Sequence, residues 1–357
     1  MPNDTNEPST GSTSSSALPV YKIGILGEGG SYEAQDPDAR ATADAAMLAA
    51  QEANNKFPVS IANGGTGATS VYPTKETGED GTTIKKGSRD LLEVEYDAQL
   101  ALGIYEGRDL NEVFADEISE YTSDAEWFNA RINAGDFTGI RIFDYFDITL
   151  TDSKVFRYRV AAIDPYLHCM DTEITKHHII MVPDQVWPDS VVWNTTNTNQ
   201  GTASEKHPYL ASNLHRWEVN TFYALLPTKW KNVLATHRML LEERYSTAGA
   251  QSNATSWSWT DVGKIFSLSE TEVYGQIVWG TNNGYSVGTD CHFATFFQNT
   301  KQRIRRNHAD QRYGWWLRSA AGSPATYACL VGYEGIAGYT AASDAGVRAL
   351  PCFRVGV

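Results

Sequence analysis

Tyr313-Gly314-Trp315-Trp316-Leu317-Arg318-Ser319 decides how this chain reads, and Gly346-Val347-Arg348-Ala349-Leu350-Pro351 answers it about thirty residues later. Aromatic and aliphatic residues in a run without Pro favour an extended strand, and neighbouring side chains on a strand face opposite ways. One Trp should therefore pack inward and the other lie nearer the surface. Arg318 shares a face with Trp316, where it either stacks on the ring or holds a carboxylate. Trp315, Trp316, Arg318 and Arg348 are read as scaffold, in preference to lining a ligand site.

Between these two runs lies Ser323 to Asp344, with Tyr327, Tyr333 and Tyr339 six residues apart and small residues between them. Tyr and Ser with Gly spacers is the composition of binding loops: rigid aromatic area at low entropy cost, with small polar groups around it. The candidate ligand-binding residues are Tyr327, Tyr333, Glu334, Tyr339, Ser343 and Asp344. The rings offer contact area, and the carboxylates offer oriented acceptors. A turn region of a β-sandwich uses the same residues, so a structural reading stands beside the binding one.

Upstream, Ser123-Asp124-Ala125-Glu126 has the form of a capping box, and the helix it opens should run through Trp127, Phe128 and Ile132 to Gly135. Gly139 to Phe146 and Val155 to Ile163 read as strands. Residues 208–240 read as two helices, the second opened by Pro227 and carrying Trp230, Val233 and Leu234. Ser267-Leu268-Ser269-Glu270 is a second capping box, for a helix ending at Gly275. Strands return in 313–355. Nine of the ten Trp lie between 187 and 316, which places the large aromatic core in the C-terminal part.

The chain has 357 residues, 41% of them hydrophobic, and a mean hydropathy of −0.38, the profile of a soluble globular protein. No apolar run nears the ~20 residues of a membrane span. Met1 to Ser16 lacks the apolar centre of a secretory signal. Residues 1–150 hold 26 acidic against 10 basic residues, which argues against nucleic acid there. The remainder holds 17 against 19, and its one basic run, Lys301-Gln302-Arg303-Ile304-Arg305-Arg306, reads as the solvated face of a helix. The organisation expected is a disordered tail at 1–20, an attachment and oligomerisation segment at 21–60 with an Ala-rich helix from Ala39 to Asn54, a glycine-rich linker and small connecting region at 61–122, and a folded domain at 123–357. Leu91 to Phe114 has room for a strand and a short helix.

No metal site or cofactor is expected. The four cysteines, Cys169, Cys291, Cys329 and Cys352, show no CxxC spacing. His177-His178, His237, His292 and His308 lack ligand spacing. Gly24-Ile25-Leu26-Gly27-Glu28-Gly29-Gly30 misses a dinucleotide fingerprint, since Tyr32 stands where its third glycine belongs. No GxSxG elbow is present, so no catalytic triad is assigned.

Residues 123–357 resemble the C-type-lectin-like domain family, common in phage and bacterial surface proteins. The likeness rests on the capped Trp127-Phe128 helix, the helical middle, the Ser267-Leu268-Ser269-Glu270 helix and the Trp-Trp-Leu-Arg-Ser strand with the Gly-Val-Arg run that follows it. Ile61-Ala62-Asn63-Gly64-Gly65-Thr66-Gly67-Ala68-Thr69-Ser70 resembles a glycine-rich segment of phage tail-fibre proteins. The resemblance implies an α+β fold, a C-type-lectin-like domain preceded by an extended, partly helical N-terminal attachment and oligomerisation region. It implies a non-enzymatic virion surface protein, a tail or head fibre adhesin that binds a host cell-surface glycan or protein. Other virion subunits and further copies of the chain, a trimer by preference, would be its partners. It would be assembled in the host cytoplasm without a signal peptide. The alternative is a structural capsid or tail decoration protein whose lectin-like domain contacts neighbouring subunits. The calcium-dependent sugar site of such lectins needs a Glu-Pro-Asn or Gln-Pro-Asp loop and a Trp-Asn-Asp. Here Val182 and Trp187 precede Pro183-Asp184 and Pro188-Asp189, and Trp-Asn-Asp is missing. A related fold hosts a formylglycine-generating oxidase that needs paired reactive cysteines; Cys329 and Cys352 lie in apolar runs that suit burial better. In this setting the cysteines either bridge strands or, as preferred, stay as buried free thiols.

Overall fold

A computed structural model describes residues 74–77, 83–86, 91–281 and 289–357, with side chains from Tyr96 onward. The expectations for the tail at 1–20, the segment 21–60 with its Ala39–Asn54 helix, Gly24–Gly30 and the 61–70 glycine segment lie outside the described residues. The chain divides into two units, Met1–Glu93 and Val94–Val357. Within the first, Thr74–Thr77 (β1) and Thr83–Lys86 (β2) pair as an antiparallel hairpin inside the stretch read as linker.

The second unit begins well before Ser123. Helices Leu91–Ala101, Leu110–Val113 and Ala115–Ile118 occupy the region read as connecting sequence, where a strand was also expected. The region joins the domain because Leu110 is fully buried and Asp109 bridges Tyr145. Tyr105 and Arg108 both bind the buried Asp144 carboxylate, at 2.5 and 2.7 Å. Asp124–Asn133 is then the expected helix, and Ser123 Oγ accepts from Glu126 N. The capping box is half made: Glu126 accepts from Thr122 N and its hydroxyl, not from Ser123.

Tyr145–Thr149 (β3), Val155–Ile163 (β4) and Ile179–Pro183 (β5) follow. β4 matches its expected span. β3 starts six residues later than Gly139, because residues 139–144 turn around the Asp144 carboxylate, which accepts from Arg141 N. The stretch from Pro208 to Lys231 is a chain of short helical pieces with a π-turn at Trp217–Phe222. Trp230 is buried as expected, but the chain then turns extended instead of staying helical to 240. Leu234–Ala235 (β6), His237–Glu243 (β7), Ser256–Gly263 (β8) and Ile265–Phe266 (β9) lead to helix Glu270–Tyr274. Beyond it come a 3-10 turn at Thr300–Arg303, then Arg305–Arg306 (β10), Arg312–Tyr313 (β11), Trp315–Ala320 (β12), Tyr327–Val331 (β13), Ala337–Ala341 (β14) and Cys352–Val355 (β15).

Mixed α and β elements thus build several antiparallel sheets with few long helices. The largest sheet has the order β3-β4-β5-β15-β6, with β9 also paired to β15. β15 lies inside it, with Phe353 opposite Met181 on one side and Ile265 on the other. β12-β13-β14 is a separate three-stranded sheet, and β7-β8 a long ribbon. One continuous apolar core runs through the unit.

Two expectations are corrected, one at the strand that decides the fold and one at the helix Glu270–Tyr274. Trp315 and Trp316 are both fully buried, because both faces of β12 are covered. Trp316 Nε1 donates to Val191 O at 2.8 Å, on one side; Trp315 Nε1 donates to Arg303 O at 3.0 Å, on the other. A strand covered on both faces loses the in–out alternation. The second capping box is displaced: Ser269 and Glu272 form it, with Ser269 Oγ accepting from Glu272 N and Glu272 accepting from Ser269 N. Ser267 is not free to cap, since its hydroxyl donates to the buried Glu218 carboxylate at 2.6 Å. Gly275 ends that helix at φ 76°, where a Cβ would meet the His292 ring at 2.9 Å.

Arg318 takes the carboxylate role allowed by its position. It is 4% exposed and donates to Glu272 at 2.6 Å, Asp290 at 3.0 Å and Ser267 O at 3.1 Å. Tyr166 completes the cluster through its hydroxyl on Glu272, at 2.6 Å. Removing one member of such a buried set strands the others' charge. Arg318→Ala should therefore cost about 3–5 kcal/mol, read as a drop in the urea midpoint at unchanged slope.

His178 gives a pH signature. Its Nε2 accepts from Tyr166 N and its Nδ1 faces Lys176 O, an arrangement that requires the neutral ring. Burial pushes its pKa down to about 4, from the ordinary 6.5. The folded state then binds fewer protons than the unfolded one between these values. The stability that His178 contributes is full above pH 6.5 and is lost as pH falls towards 4. Stability curves of the wild type and His178→Gln should converge over that window, by up to about 3 kcal/mol.

Candidate functional site

The β13–β14 hairpin carries most of the residues singled out in the sequence. Cys329 pairs with Tyr339 and Tyr327 with Ala341, so Tyr327, Cys329 and Tyr339 share one face. On this face Cys329 is fully buried, while Tyr339 is 39% exposed above it. The Tyr327 and Tyr339 rings stand 5.6 Å apart. The third ring is Trp279, 4.7 Å from Tyr339 and 44% exposed. All ten Trp lie within the described residues, and Trp279 is the one that is exposed.

Trp279 is held in place by its backbone. The Glu270 carboxylate accepts from Val278 N, Trp279 N and Gly280 N at 3.2, 3.0 and 2.9 Å. Trp279 O accepts from Gly322 N at 2.7 Å, and Gly280 bridges Ala321 beyond the end of β12. The indole Nε1 donates to Ala337 O at 3.2 Å, tying the ring to β14. Burial raises the Glu270 pKa, and the three backbone donors oppose that shift.

The six predicted residues do not all meet. Tyr327 and Tyr339 join Trp279. Tyr333 and Glu334 sit at the hairpin tip, closed by Gly332 N to Ile336 O at 2.7 Å. Tyr333 is 58% exposed, and the adjacent Glu334 carboxylate pushes its hydroxyl pKa up. Ser343 and Asp344 lie past the other end of β14, whose five residues span about 17 Å. Asp344 is engaged in its own turn, accepting from Thr340 Oγ1 at 2.9 Å and Gly346 N at 2.7 Å. Behind the hairpin the scaffold residues do meet: Trp316 N donates to Arg348 O and Arg348 N to Gly314 O, and the Arg348 guanidinium lies 4.3 Å from the Tyr313 ring centre.

Sequence reasoning missed Trp279. An exposed Trp carries no local mark distinguishing it from a core Trp; the one cue was its place between Gly275 and Gly280.

Elsewhere the candidate chemistry is occupied by structure. His177 binds Asp164 at 2.6 Å and Asp184 binds Arg159 at 2.6 Å. No cluster of three or more metal-ligating side chains occurs among the described residues. All four cysteines are free thiols: Cys329 and Cys352 are buried, Cys291 half-buried and Cys169 exposed. Burial pushes the thiols of Cys329 and Cys352 well above their ordinary pKa, away from the reactive thiolate.

Glu270→Ala would leave three amide groups without their acceptor. Amide hydrogen exchange at 278–280 should quicken at least about tenfold, and unchanged protection there would show that the carboxylate does not hold the segment.

Residues 174–355 match the family model described as a domain of unknown function, DUF6273. The match runs from just before β5 into β15 and takes in Arg318 with Glu272 and Asp290, though not Tyr166, as well as Trp279 and the β12–β14 sheet. No curated protein and no solved structure matches the chain. Because the family model covers just over half of the chain, the protein belongs to the DUF6273 family.

Proposed function

We propose that this chain is a non-enzymatic virion surface protein, a fibre adhesin, which engages a host-surface glycan or protein through the aromatic face of the β13–β14 hairpin. The observation that carries the reading is the contiguous Trp279–Tyr339–Tyr327 row, with Tyr339 on β14 and Trp279 on the segment clamped by Glu270, both open to solvent. Exposed Trp and Tyr held by backbone pairing present large area with little conformational entropy left to lose. Such rings commonly carry the binding energy of an interface. The C-type-lectin-like reading of the domain is part of the proposal. In its favour stand the helical pieces between strand clusters, the Trp-Trp strand at the base of the hairpin, and the Gly-Val-Arg run laid against that strand. A further copy of the chain or another virion subunit would occupy the same face under the alternative reading, a decoration or assembly protein.

Trp279→Ala combined with Tyr339→Ala separates the two. Adsorption to host cells should fall at least about tenfold, with particle incorporation and the circular dichroism spectrum unchanged. Normal adsorption with failed incorporation would make the face an assembly interface and sink the adhesin reading.

A further inference from the structure

The run Lys301 to Arg306, expected on a solvated helix face, instead folds as the 3-10 turn and β10, and lines an open cleft of about 680 Å³. The floor of the cleft is the outer face of β3 and β4. Arg157 and Arg159, two apart on β4, point the same way, and Tyr145 and Asp147 pair opposite them. Residues 103–107 form one wall and 301–310 the other.

Most cations here are matched. Arg157 forms a two-pronged pair with Asp147, both contacts 2.8 Å. Arg159 holds Asp184 at 2.6 Å, and Arg306 holds Asp310 at 3.3 Å. Two cations have no ion pair of their own. Arg305 is 5% exposed, and its donors meet neutral carbonyls: Pro183 O at 3.0 Å, Gln302 O at 2.6 Å and Ile304 O at 3.1 Å. Among the described residues neither Arg305 nor Lys301 forms an ion pair. Burial of a guanidinium is costly and depresses the Arg305 pKa; the Asp184 carboxylate opposes that shift, but Asp184 is already held by Arg159. The opposing group is Glu106, exposed on the facing wall. The chain as a whole carries a net charge of −14, so this cationic cleft runs against its surroundings. Low-dielectric walls concentrate such a local field.

We infer that this cleft binds a small ligand bearing an oxyanion, whose charge completes Arg305 and Lys301. The oxyanion can be the carboxylate of an acidic sugar or a phosphate group. The site is separate from the aromatic face and does not depend on the function proposed for it.

The experiment is a thermal-shift and calorimetric titration of the full chain with glucuronate, inorganic phosphate and glucose, at ionic strength held constant with sodium chloride. Glucuronate or phosphate should raise the melting temperature saturably, and glucose should not; the anion with the larger shift identifies the source. Lys301→Glu should weaken that anion at least fivefold while leaving the unliganded melting temperature unchanged, since Lys301 is exposed. Glu106→Gln should tighten it. Trp279→Ala with Tyr339→Ala should leave it intact, which keeps this test distinct from the adsorption test. Absence of a saturable shift with either anion overturns the inference. So does an equal shift in wild type and Lys301→Glu, the mark of a general salt effect.

Discussion

The domain is organised around a charge that it cannot leave unpaired. Arg318 enters the core from β12, and its guanidinium must be met there. Glu272 and Asp290 meet it, and Glu272 is fixed further by Tyr166 and by the Ser269 cap. Taking these ions out of water costs several kcal/mol each, which their mutual attraction and hydrogen bonds must offset. The geometry therefore admits little freedom. The helix Glu270–Tyr274 must begin at Ser269 and β12 must pass beside it, as Arg318 N to Leu268 O at 2.9 Å confirms. The same helical turn turns Glu270 towards 278–280, so the buried cluster and the exposed aromatic row are consequences of one placement.

Residue patterns with a strictly local cause were readable from sequence. β4 runs from Val155 to Ile163 as its alternation and β-branched content indicate, and Gly275 ends its helix with the positive φ that glycine allows. The Trp-Trp run and the Gly-Val-Arg run were marked together as scaffold; that one lies against the other is a finding of the fold. Patterns with more than one local solution were not. Ser267-x-x-Glu270 and Ser269-x-x-Glu272 are equally good capping boxes; what separates them is Glu218, about fifty residues away, which claims the Ser267 hydroxyl. Arg305 looked like its neighbours in a basic run, yet the fold buries it against Phe296 at 5.6 Å. For the candidate site, the sequence marked the hairpin and its tyrosines. It did not mark Trp279, whose exposure depends on what fails to cover it.

The aromatic face and the cationic cleft lie on elements that share a support. Arg303 donates to Phe297 O and to Gly335 O, at 2.9 and 3.0 Å, joining the Thr300–Arg303 turn to the hairpin tip. Its neighbours Lys301 and Gln302 line the cleft. Trp315 rests on the same turn through Arg303 O. The tandem Trp strand thus braces the base from which both surfaces are built, as its role as scaffold requires.

The Glu270 clamp has an evolutionary consequence. All three of its bonds go to main-chain N–H groups of 278–280, and the bond from Gly322 goes to a main-chain carbonyl. None depends on which side chain position 279 carries. The segment is a socket that fixes where a residue is displayed while leaving its identity open. Exchange of the Trp279 ring for another side chain forfeits its contacts to Ala337 O and to the Tyr339 ring and keeps the backbone bonds. Recognition at this surface can therefore drift by single substitutions without a matching change in the core, so its chemistry and the stability of the fold are inherited separately.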